Sequence, residues 1–289
     1  MLNFFCYNDI GSDIMEKNIG EIVKEFKDNL NIEVDSNNID VIASGMTSSL
    51  LFRVNNKYLY KIFPNDYLYK RAKLFFETYK DSKYSQHILF SNDESRMLCL
   101  DYAIGDLLYN NYTDGSFIID SIYDMVSNYK EYNGNDVNFI NWDCNTLEDY
   151  IEKIVKWNLV DGFNLDIFYE HLSIVKKYNY PKYVLHGDMG SHNIVVNNKD
   201  IKLIDPDTRI GDKLFDFYCC ILSDPKIFKN MKLDDILKYF DEYDIEYKKS
   251  MFNLCYILRM NIALKYNYYD DSNIYKEWLD NNNLKLTIE

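Results

Sequence analysis

His186-Gly187-Asp188-Met189-Gly190-Ser191-His192-Asn193, followed by Asp205, is the stretch that decides how this sequence is interpreted. The apolar run 194–196, the polar turn 197–200 and the apolar run 201–204 predict two short antiparallel strands joined by a hairpin. Strands of about four residues with a short turn return the chain to its start. We therefore expect Asn193 and Asp205 to lie side by side.

Asp188, Asn193 and Asp205 carry the groups that phosphoryl-transfer chemistry uses. A carboxylate beside a substrate hydroxyl can accept its proton, and an amide and a second carboxylate can hold Mg²⁺ against nucleotide phosphates. Each fragment alone is also typical of a turn or a helix cap, because Asp and Gly are common there. The two fragments on either side of a predicted hairpin favour the catalytic interpretation. Asp188 is thus the candidate catalytic residue, with Asn193 and Asp205 as candidate metal ligands.

The first hundred residues predict a helix followed by antiparallel strands. Apolar residues recur at helical spacing between residues 14 and 30, which predicts an amphipathic helix. Short β-prone runs follow at 39–43, 50–54 and 58–63, then a helix at 67–79 and strands at 88–90 and 97–102. From about residue 118 the pattern is mainly helical, with later helices at 213–222, 233–243 and 247–264.

A nucleotide could bind in the N-terminal part through a loop and a lysine. Gly45 permits close backbone approach to phosphates, and Thr47 and Ser48 offer hydroxyl and amide donors. With a single glycine, an ordinary hairpin loop explains the same residues. Lys61, on the third predicted strand, could neutralise the α and β phosphates, although a lone strand lysine is commonly solvated.

Asp101 and Ala103 fall where the strands give way to helices. Their exposed backbone groups could bind a purine edge, and an ordinary strand end explains them nearly as well.

The whole chain has the composition of a compact globular protein. It has 289 residues and 34.5 kDa, with 47% hydrophobic and 27% charged residues, which argues against disorder. A net charge of −14 makes nucleic acid an unexpected partner. Residues 120–180 hold eleven acids against five lysines, which favours a cationic ligand or serves only to keep the surface solvated.

The cysteines and the N-terminus predict a cytoplasmic protein. The six cysteines form no CxxC pair or His/Cys ligand cluster, so we expect reduced thiols. The N-terminus has no basic region typical of a signal peptide, and no apolar run reaches about 18 residues, so no membrane segment is expected.

The motif HGDxxxxN at 186–193, with Leu203-Ile204-Asp205, Gly211-Asp212 and Asp216, resembles the aminoglycoside phosphotransferase and choline kinase family. The resemblance implies an α+β, two-lobed protein-kinase-like fold. Residues 1–102 would form the nucleotide-binding lobe with its antiparallel sheet. Residues 103–289 would form a larger, mainly helical catalytic and substrate-binding lobe.

The same resemblance implies roles for individual residues and for cosubstrates. Asp188 would be the base, Asn193 and Asp205 would bind Mg²⁺, and Lys61 would contact the phosphates of ATP or GTP. His186 and Asp216 would give structural support, with proton transfer as the alternative role of His186. We expect His192 to face solvent, with the substrate as the alternative.

The family's acid that pairs with the strand lysine has no clear counterpart. Our register places Arg71 there, with Asp66 and Glu77 as substitutes.

The acceptor implied is a small cationic or hydroxylated molecule, most simply an aminoglycoside, which would make the protein an antibiotic-resistance enzyme. Choline or ethanolamine, homoserine and a sugar are alternatives. Trp142 and Trp157 could contribute to an aromatic box for a quaternary ammonium, although tryptophans are more often core residues. A pseudokinase that binds nucleotide without catalysis is the alternative of another class, and Arg71 favours it.

Overall fold

The structure is a computed structural model that describes residues 12–42, 49–108, 115–157 and 165–282. The chain divides into two compact units. The first consists of Met1–Lys80 and Ser85–Ala103, and the second of Asp81–Tyr84 and Ile104–Glu289.

The first unit is built on an antiparallel sheet with strand order β1-β2-β3-β5-β4. Its strands are β1 (Ile39–Ile42), β2 (Leu50–Val54), β3 (Tyr58–Ile62), β4 (Ile88–Asn92) and β5 (Met97–Asp101). Asn55 and Asn56, both at positive φ, form the tight turn between β2 and β3. The predicted three-strand meander is therefore confirmed, in the register Leu50↔Ile62 to Val54↔Tyr58.

Two α-helices of the first unit lie within the described residues. Helix α1 (Ser12–Leu30) has apolar residues at helical spacing, and Ile22 and Phe26 on that face are fully buried against the sheet. The ring of Phe26 contacts Tyr58 and Phe90 at centroid distances of 5.2 and 5.5 Å.

Helix α2 (Asp66–Thr78) follows β3 and begins at a capped N-terminus. The side chain of Asn65 accepts a hydrogen bond from the Leu68 N–H, which satisfies one amide of the first turn. The helix buries Ala72, Phe75 and Phe76.

In its described part, the second unit has two small sheets among helices. One sheet has the order β6-β8-β9 and the other pairs β7 with β10, all antiparallel. The strands are β6 (Asp106–Leu107), β7 (Tyr183–Leu185), β8 (Ile194–Asn197), β9 (Asp200–Leu203) and β10 (Arg209–Gly211). The main helices are α3 (Gly115–Ser127), α4 (Val137–Ile140), α5 (Leu147–Trp157), α6 (Leu165–Val175), α7 (Lys213–Leu222), α8 (Pro225–Phe228), α9 (Leu233–Leu237), α10 (Ile245–Lys265) and α11 (Tyr269–Asn281).

Helices α7 and α10 form the core of the second unit. Every residue of α7 is buried, and α10 is buried along most of its length, where it packs against α6 and α7. Helix α7 is apolar apart from Lys213 and Asp216, as expected of a helix in the interior. Helix α7 is therefore fixed in the core, and it holds in place the segments that bond to its first turn.

One predicted helix is much shorter in the structure. The expected span 233–243 ends at Leu237, and Phe240 adopts a φ of 58°, which is incompatible with a helix. The buried ring of Phe240 packs edge-on against Phe217 at 5.1 Å. This tertiary contact overrides the apolar periodicity of the segment.

No helix within the described ranges is both long and apolar enough to cross a membrane.

We predict that Phe26→Ala destabilises the first unit by about 3–5 kcal/mol, because it leaves a cavity between α1 and the sheet. Lys24→Ala, on the exposed side of the same helix, is the matched control and should change stability by less than about 0.5 kcal/mol. Denaturant unfolding, together with amide exchange of β2 and β3, measures the stability change in each variant. Equal effects of the two substitutions would show that this packing is unimportant.

Candidate active site

The stretch His186–Asn193 is fixed by a buried carboxylate. Asp216, in the first turn of α7, is fully buried and accepts hydrogen bonds from the backbone N–H of His186 (2.6 Å) and of Gly187 (3.0 Å). Its Oδ2 also accepts from the hydroxyl of Tyr129 at 2.8 Å. Burial raises the pKa of Asp216, and these donors oppose the increase. The loop that carries Asp188 is thus held directly by the buried helix α7.

Gly187 brings this loop against the segment that follows Asp205. Its φ is 79°, and a Cβ there would lie 2.0 Å from the carbonyl oxygen of Asp207. Any other residue would meet a backbone atom and adopt a strained conformation.

His186 ties the loop to the end of β9. It is fully buried, and its Nε2–H donates to the carbonyl oxygen of Ile204 at 2.9 Å. Burial lowers the pKa of His186, which favours the neutral ring. These contacts suit structural support better than proton transfer.

The predicted hairpin is confirmed and places the two candidate metal ligands at the same end. β8 and β9 pair with Ile194 opposite Leu203, and the N–H of Ile204 donates to the carbonyl of Asn193 at 3.0 Å. Asn193 is buried, whereas Asp205 is exposed at a φ of 52°.

The side chain of Asn193 is oriented by Asp188. Its Nδ2 donates to the backbone oxygen of Asp188 at 2.9 Å and to Oδ2 of that residue at 3.0 Å. Since Nδ2 is engaged in this way, Oδ1 is the atom that can face a cation.

An amide from Asn193 and a carboxylate from Asp205, at the same end of the hairpin, are ligand types that Mg²⁺ accepts. The described ranges contain no group of three His, Cys, Asp or Glu side chains that could enclose a metal ion. Mg²⁺ commonly uses one or two protein carboxylates and takes its other ligands from water and substrate phosphates. An amide and a carboxylate at one hairpin end match that coordination.

Neighbouring side chains lower the pKa of Asp188. Its side chain is 44% exposed, and its Oδ2 lies 3.4 Å from Nε2 of His192. Burial opposes ionisation, but the hydrogen bond and charge of His192, together with the charge of Arg259, outweigh it and lower the pKa of Asp188 to about 2.

Sequence reasoning did not identify Arg259 and treated His192 as a solvent-facing residue. His192 is half-exposed, as expected, and also contacts Asp188. Arg259 lies on α10 and is far from the motif in sequence, so no local pattern indicates it.

Asp207 is engaged by another residue that the sequence did not reveal. It forms an ion pair with the fully buried Arg209, whose Nη1 also donates to the Asp207 carbonyl at 2.8 Å. The Arg209 guanidinium stacks over the rings of Trp142 and Tyr150, at 5.2 and 4.4 Å from their centroids. Asp207 thereby anchors the chain just after Asp205.

The first unit contains the other predicted site residues. Lys61 is buried in β3, opposite Leu51 and Leu98, with its Nζ 4.7 Å from the centroid of the Phe63 ring. The alternative interpretation, in which Lys61 is a solvated lysine on the outside of the strand, is therefore wrong. Gly45, Thr47 and Ser48 lie outside the described residues.

Helix α2 bears the three residues considered for the lysine's partner. Arg71 is fully buried, with its guanidinium 4.8 Å from the centroid of the Tyr67 ring. Asp66 lies near Lys70 and Arg96 at 3.8 and 3.9 Å, and Glu77 lies 3.9 Å from Lys73.

Asp101 makes its main contacts within the first unit. Its Oδ1 accepts from the N–H of His87 at 2.5 Å, and its backbone oxygen accepts from Nε2 of Gln86 at 2.6 Å. Its own N–H donates to the carbonyl of His87 at 3.1 Å. Both backbone groups of Asp101 are therefore already hydrogen-bonded within the first unit. Of the two residues predicted to contact a purine edge, Ala103 is the better candidate.

We predict that the carboxyl of Asp188 does not titrate between pH 4 and pH 8, because its pKa is lowered to about 2. His192→Ala removes the hydrogen bond and the neighbouring charge, so the pKa should rise by at least about one unit. Carbon-detected NMR of the Asp188 carboxyl gives the midpoint. Lys199→Ala, which removes a charge at the exposed hairpin turn, should leave it unchanged. A wild-type midpoint above pH 4 would contradict this description.

Comparison with known proteins gives a result only at the level of structure. No protein-family model matches the sequence, and no curated protein matches it. An ADP-bound aminoglycoside phosphotransferase, APH(2'')-Ib, is 16% identical, with 94% of this chain and 98% of that chain covered and a TM-score of 0.54. Choline kinase LicA from Streptococcus pneumoniae is 16% identical, with coverage of 91% and 98% and a TM-score of 0.56.

A third solved structure is the streptomycin–ATP ternary complex of APH(2")-IIa, at 17% identity, coverage of 89% and 93%, and a TM-score of 0.51. At such low sequence identity, the structural similarity establishes the fold but does not establish the function. The chain thus has the α+β, two-lobed protein-kinase-like fold shared by aminoglycoside phosphotransferases and choline kinase.

Proposed function

We propose that this protein is a small-molecule kinase, which transfers the γ-phosphoryl group of ATP or GTP to a hydroxyl of a small acceptor. The observation that carries the proposal is the loop held by Asp216, in which Asp188 orients Asn193 at the hairpin end that also bears Asp205. Solved proteins of the same fold bind ADP, ATP and aminoglycosides, which supports this assignment.

Asp188 would bind the hydroxyl group of the acceptor. With a pKa of about 2 its carboxylate is a weak base, so its first contribution is to orient the hydroxyl by accepting its hydrogen bond. In a loose phosphoryl-transfer transition state the nucleophile is little bonded to phosphorus, and its proton can leave late. A weak but well-placed carboxylate is sufficient for that step.

Asn193 and Asp205 would hold Mg²⁺, which when bound neutralises charge on the nucleotide phosphates. Lys61, buried in β3 of the first unit, would supply a further positive charge to the phosphates. Gly45, Thr47, Ser48 and Ala103 remain proposed nucleotide contacts, and residues 1–102 a proposed nucleotide-binding lobe.

The acceptor is proposed to be cationic, with an aminoglycoside as the first candidate and antibiotic resistance as the consequence. The acids of residues 120–180 support a cationic acceptor. Choline is less well supported, because the ring of Trp142, which contacts that of Trp157 at 6.1 Å, already stacks with Arg209. Ethanolamine, homoserine and sugars remain alternatives.

The described cysteines support a reducing compartment such as the cytoplasm. Cys99, Cys144, Cys219, Cys220 and Cys255 are all buried free thiols.

A pseudokinase is the second candidate, and the observation that favours it is the buried Arg71 on the helix that follows Lys61. Such a protein would bind nucleotide without metal-dependent turnover.

We predict that Asp188→Asn lowers kcat by about 10²–10⁴-fold, because the amide cannot accept the hydroxyl proton. The affinity for Mg²⁺-nucleotide should change by less than about threefold. A coupled assay of ADP or GDP release, with kanamycin, gentamicin, streptomycin, choline, ethanolamine and homoserine as acceptors, measures kcat. Calorimetry measures nucleotide binding.

Asp200→Asn, at the exposed hairpin turn, is the matched control and should leave both quantities unchanged. Equal losses of turnover and nucleotide affinity in Asp188→Asn would contradict the role of Asp188. Nucleotide binding without turnover on any acceptor or on water would favour the pseudokinase.

A further inference from the structure

Helix α10 carries one arginine, Arg259, and the packing of α10 on α7 fixes its place along α7. The two helices run in the same direction. Tyr247 contacts Asp212 where both helices begin, and two turns later Cys255 contacts Cys219. Arg259 follows Cys255 by one turn on the same face of α10. It therefore lies at the level of the last turns of α7.

The loop that carries Asp188 runs along α7 in that direction as well. The N–H of Gly187 donates to Asp216 in the first turn of α7 at 3.0 Å. The N–H of Ser191 donates at 3.0 Å to Oγ of Ser223, which directly follows the helix. Asp188 lies between these two points of attachment, so the loop and α10 bring its carboxylate and the guanidinium of α10 to neighbouring positions along α7.

The electrostatic interactions of Arg259 agree with this placement. Its positive charge helps to lower the pKa of Asp188, and it also acts on the thiols of Cys219 and Cys220 and on the hydroxyl of Tyr275. Asp188 is the one carboxylate of these four groups. An arginine stays protonated at any physiological pH. A permanent positive charge thus lies near the residue that would bind the acceptor hydroxyl.

The guanidinium of Arg259 lacks the partners that other cations of this unit have. Three buried cations of the second unit are compensated, by Asp207 for Arg209, by Glu242 for Lys213 and by two carbonyl oxygens for Lys248. Arg259 is half-buried, and within the described residues no hydrogen bond or ion pair engages it. Its Nε alone is sealed off without a partner, so Nη1 and Nη2 are the atoms that a ligand can meet. A recessed cation without a partner costs free energy, which a bound anion would recover.

Phosphoryl transfer itself delivers an anion to this position. The bond from the γ-phosphorus to the β,γ-bridging oxygen breaks, and a bond from the acceptor oxygen to phosphorus forms. The nucleoside diphosphate leaves with the bridging oxygen, and the hydroxyl proton passes to Asp188 and then to solvent. The transferred group then lies beside a carboxylate, and two negative groups at that distance repel each other.

An arginine offers what the transferred group needs. Its planar fork matches two phosphoryl oxygens, and its charge offsets the repulsion from the carboxylate. A cationic acceptor would be repelled by the same guanidinium, so the phosphoryl group is the better ligand for it.

We propose that Arg259 is a catalytic residue, whose Nη1 and Nη2 bind the oxygens of the phosphoryl group as it passes to the acceptor. This inference rests on the proposed kinase function and adds a cation that the HGDxxxxN motif does not contain. Arg259 neither gains nor loses a proton in the step.

The first test is Arg259→Met, which removes the charge and keeps a side chain of similar length. In the assay of ADP or GDP release, on the best acceptor or on water, kcat should fall at least about 100-fold. The affinity for Mg²⁺-ADP or Mg²⁺-GDP, measured by calorimetry, should change by less than about threefold, which also shows that the variant folds. Aluminium fluoride, added to the same Mg²⁺-nucleotide complex, is the probe that mimics the passing phosphoryl group. Its binding should weaken at least about tenfold.

Two further measurements support this test. Arg259→Lys keeps the charge without the fork and should recover at least about tenfold of the lost kcat. In wild type, nitrogen-15 NMR should show the Nε–H resonance of Arg259 shifting when aluminium fluoride joins the Mg²⁺-nucleotide complex. This measurement needs no variant that folds. Lys249→Met is the matched control, because it removes an exposed cation from the same helix and should change none of these quantities.

Unchanged kcat, or undiminished binding of aluminium fluoride, in folded Arg259→Met would overturn the proposal and leave the kinase assignment intact. A lower kcat accompanied only by a higher pKa of Asp188 would overturn it as well, because Arg259 would then act on the carboxylate alone. Wild type that neither binds Mg²⁺-nucleotide nor turns it over would refute the proposed function, and this inference with it.

Discussion

The buried carboxylate of Asp216 is the constraint on which the candidate active site depends. It accepts two backbone N–H groups from the start of the loop and one tyrosine hydroxyl, and it lies on a helix with no exposed residue. Hydrogen bonds to a charged acceptor in a low-dielectric interior are among the stronger polar contacts in proteins. The position of Asp188 is therefore set by the core of the second unit.

Three further contacts organise the site around the loop that Asp216 holds. Gly187 allows the loop to touch the backbone of Asp207, His186 bonds to the end of β9, and Asn193 is oriented by Asp188. Each contact joins the loop to the hairpin or to the segment after it. The hairpin is thereby held so that its two ends present an amide and a carboxylate together.

The sequence predicted the local parts of this arrangement and missed the long-range parts. Alternation of apolar runs with polar turns was sufficient for the hairpin and for the meander of the first unit, because turn chemistry and strand length are local. Arg259 and Arg209 were not identified, because the residues they act on are far away in the chain. The charge of Arg259 acts on Asp188, and the guanidinium of Arg209 stacks over Trp142. The helix predicted at 233–243 is too long for the same reason, since the packing of Phe240 against Phe217 follows its end at Leu237.

The claim that one Mg²⁺ is shared by Asn193 and Asp205 is tested most directly by a double-mutant cycle on ATP binding. Calorimetry of wild type, Asn193→Ala, Asp205→Asn and the double variant, each with Mg²⁺ and with chelator, gives the metal-dependent part of the affinity. If both residues hold the same ion, either single substitution should remove most of that part, and the double variant should lose little more. Additive losses, or ATP affinity that is independent of Mg²⁺ in wild type, would contradict the shared site.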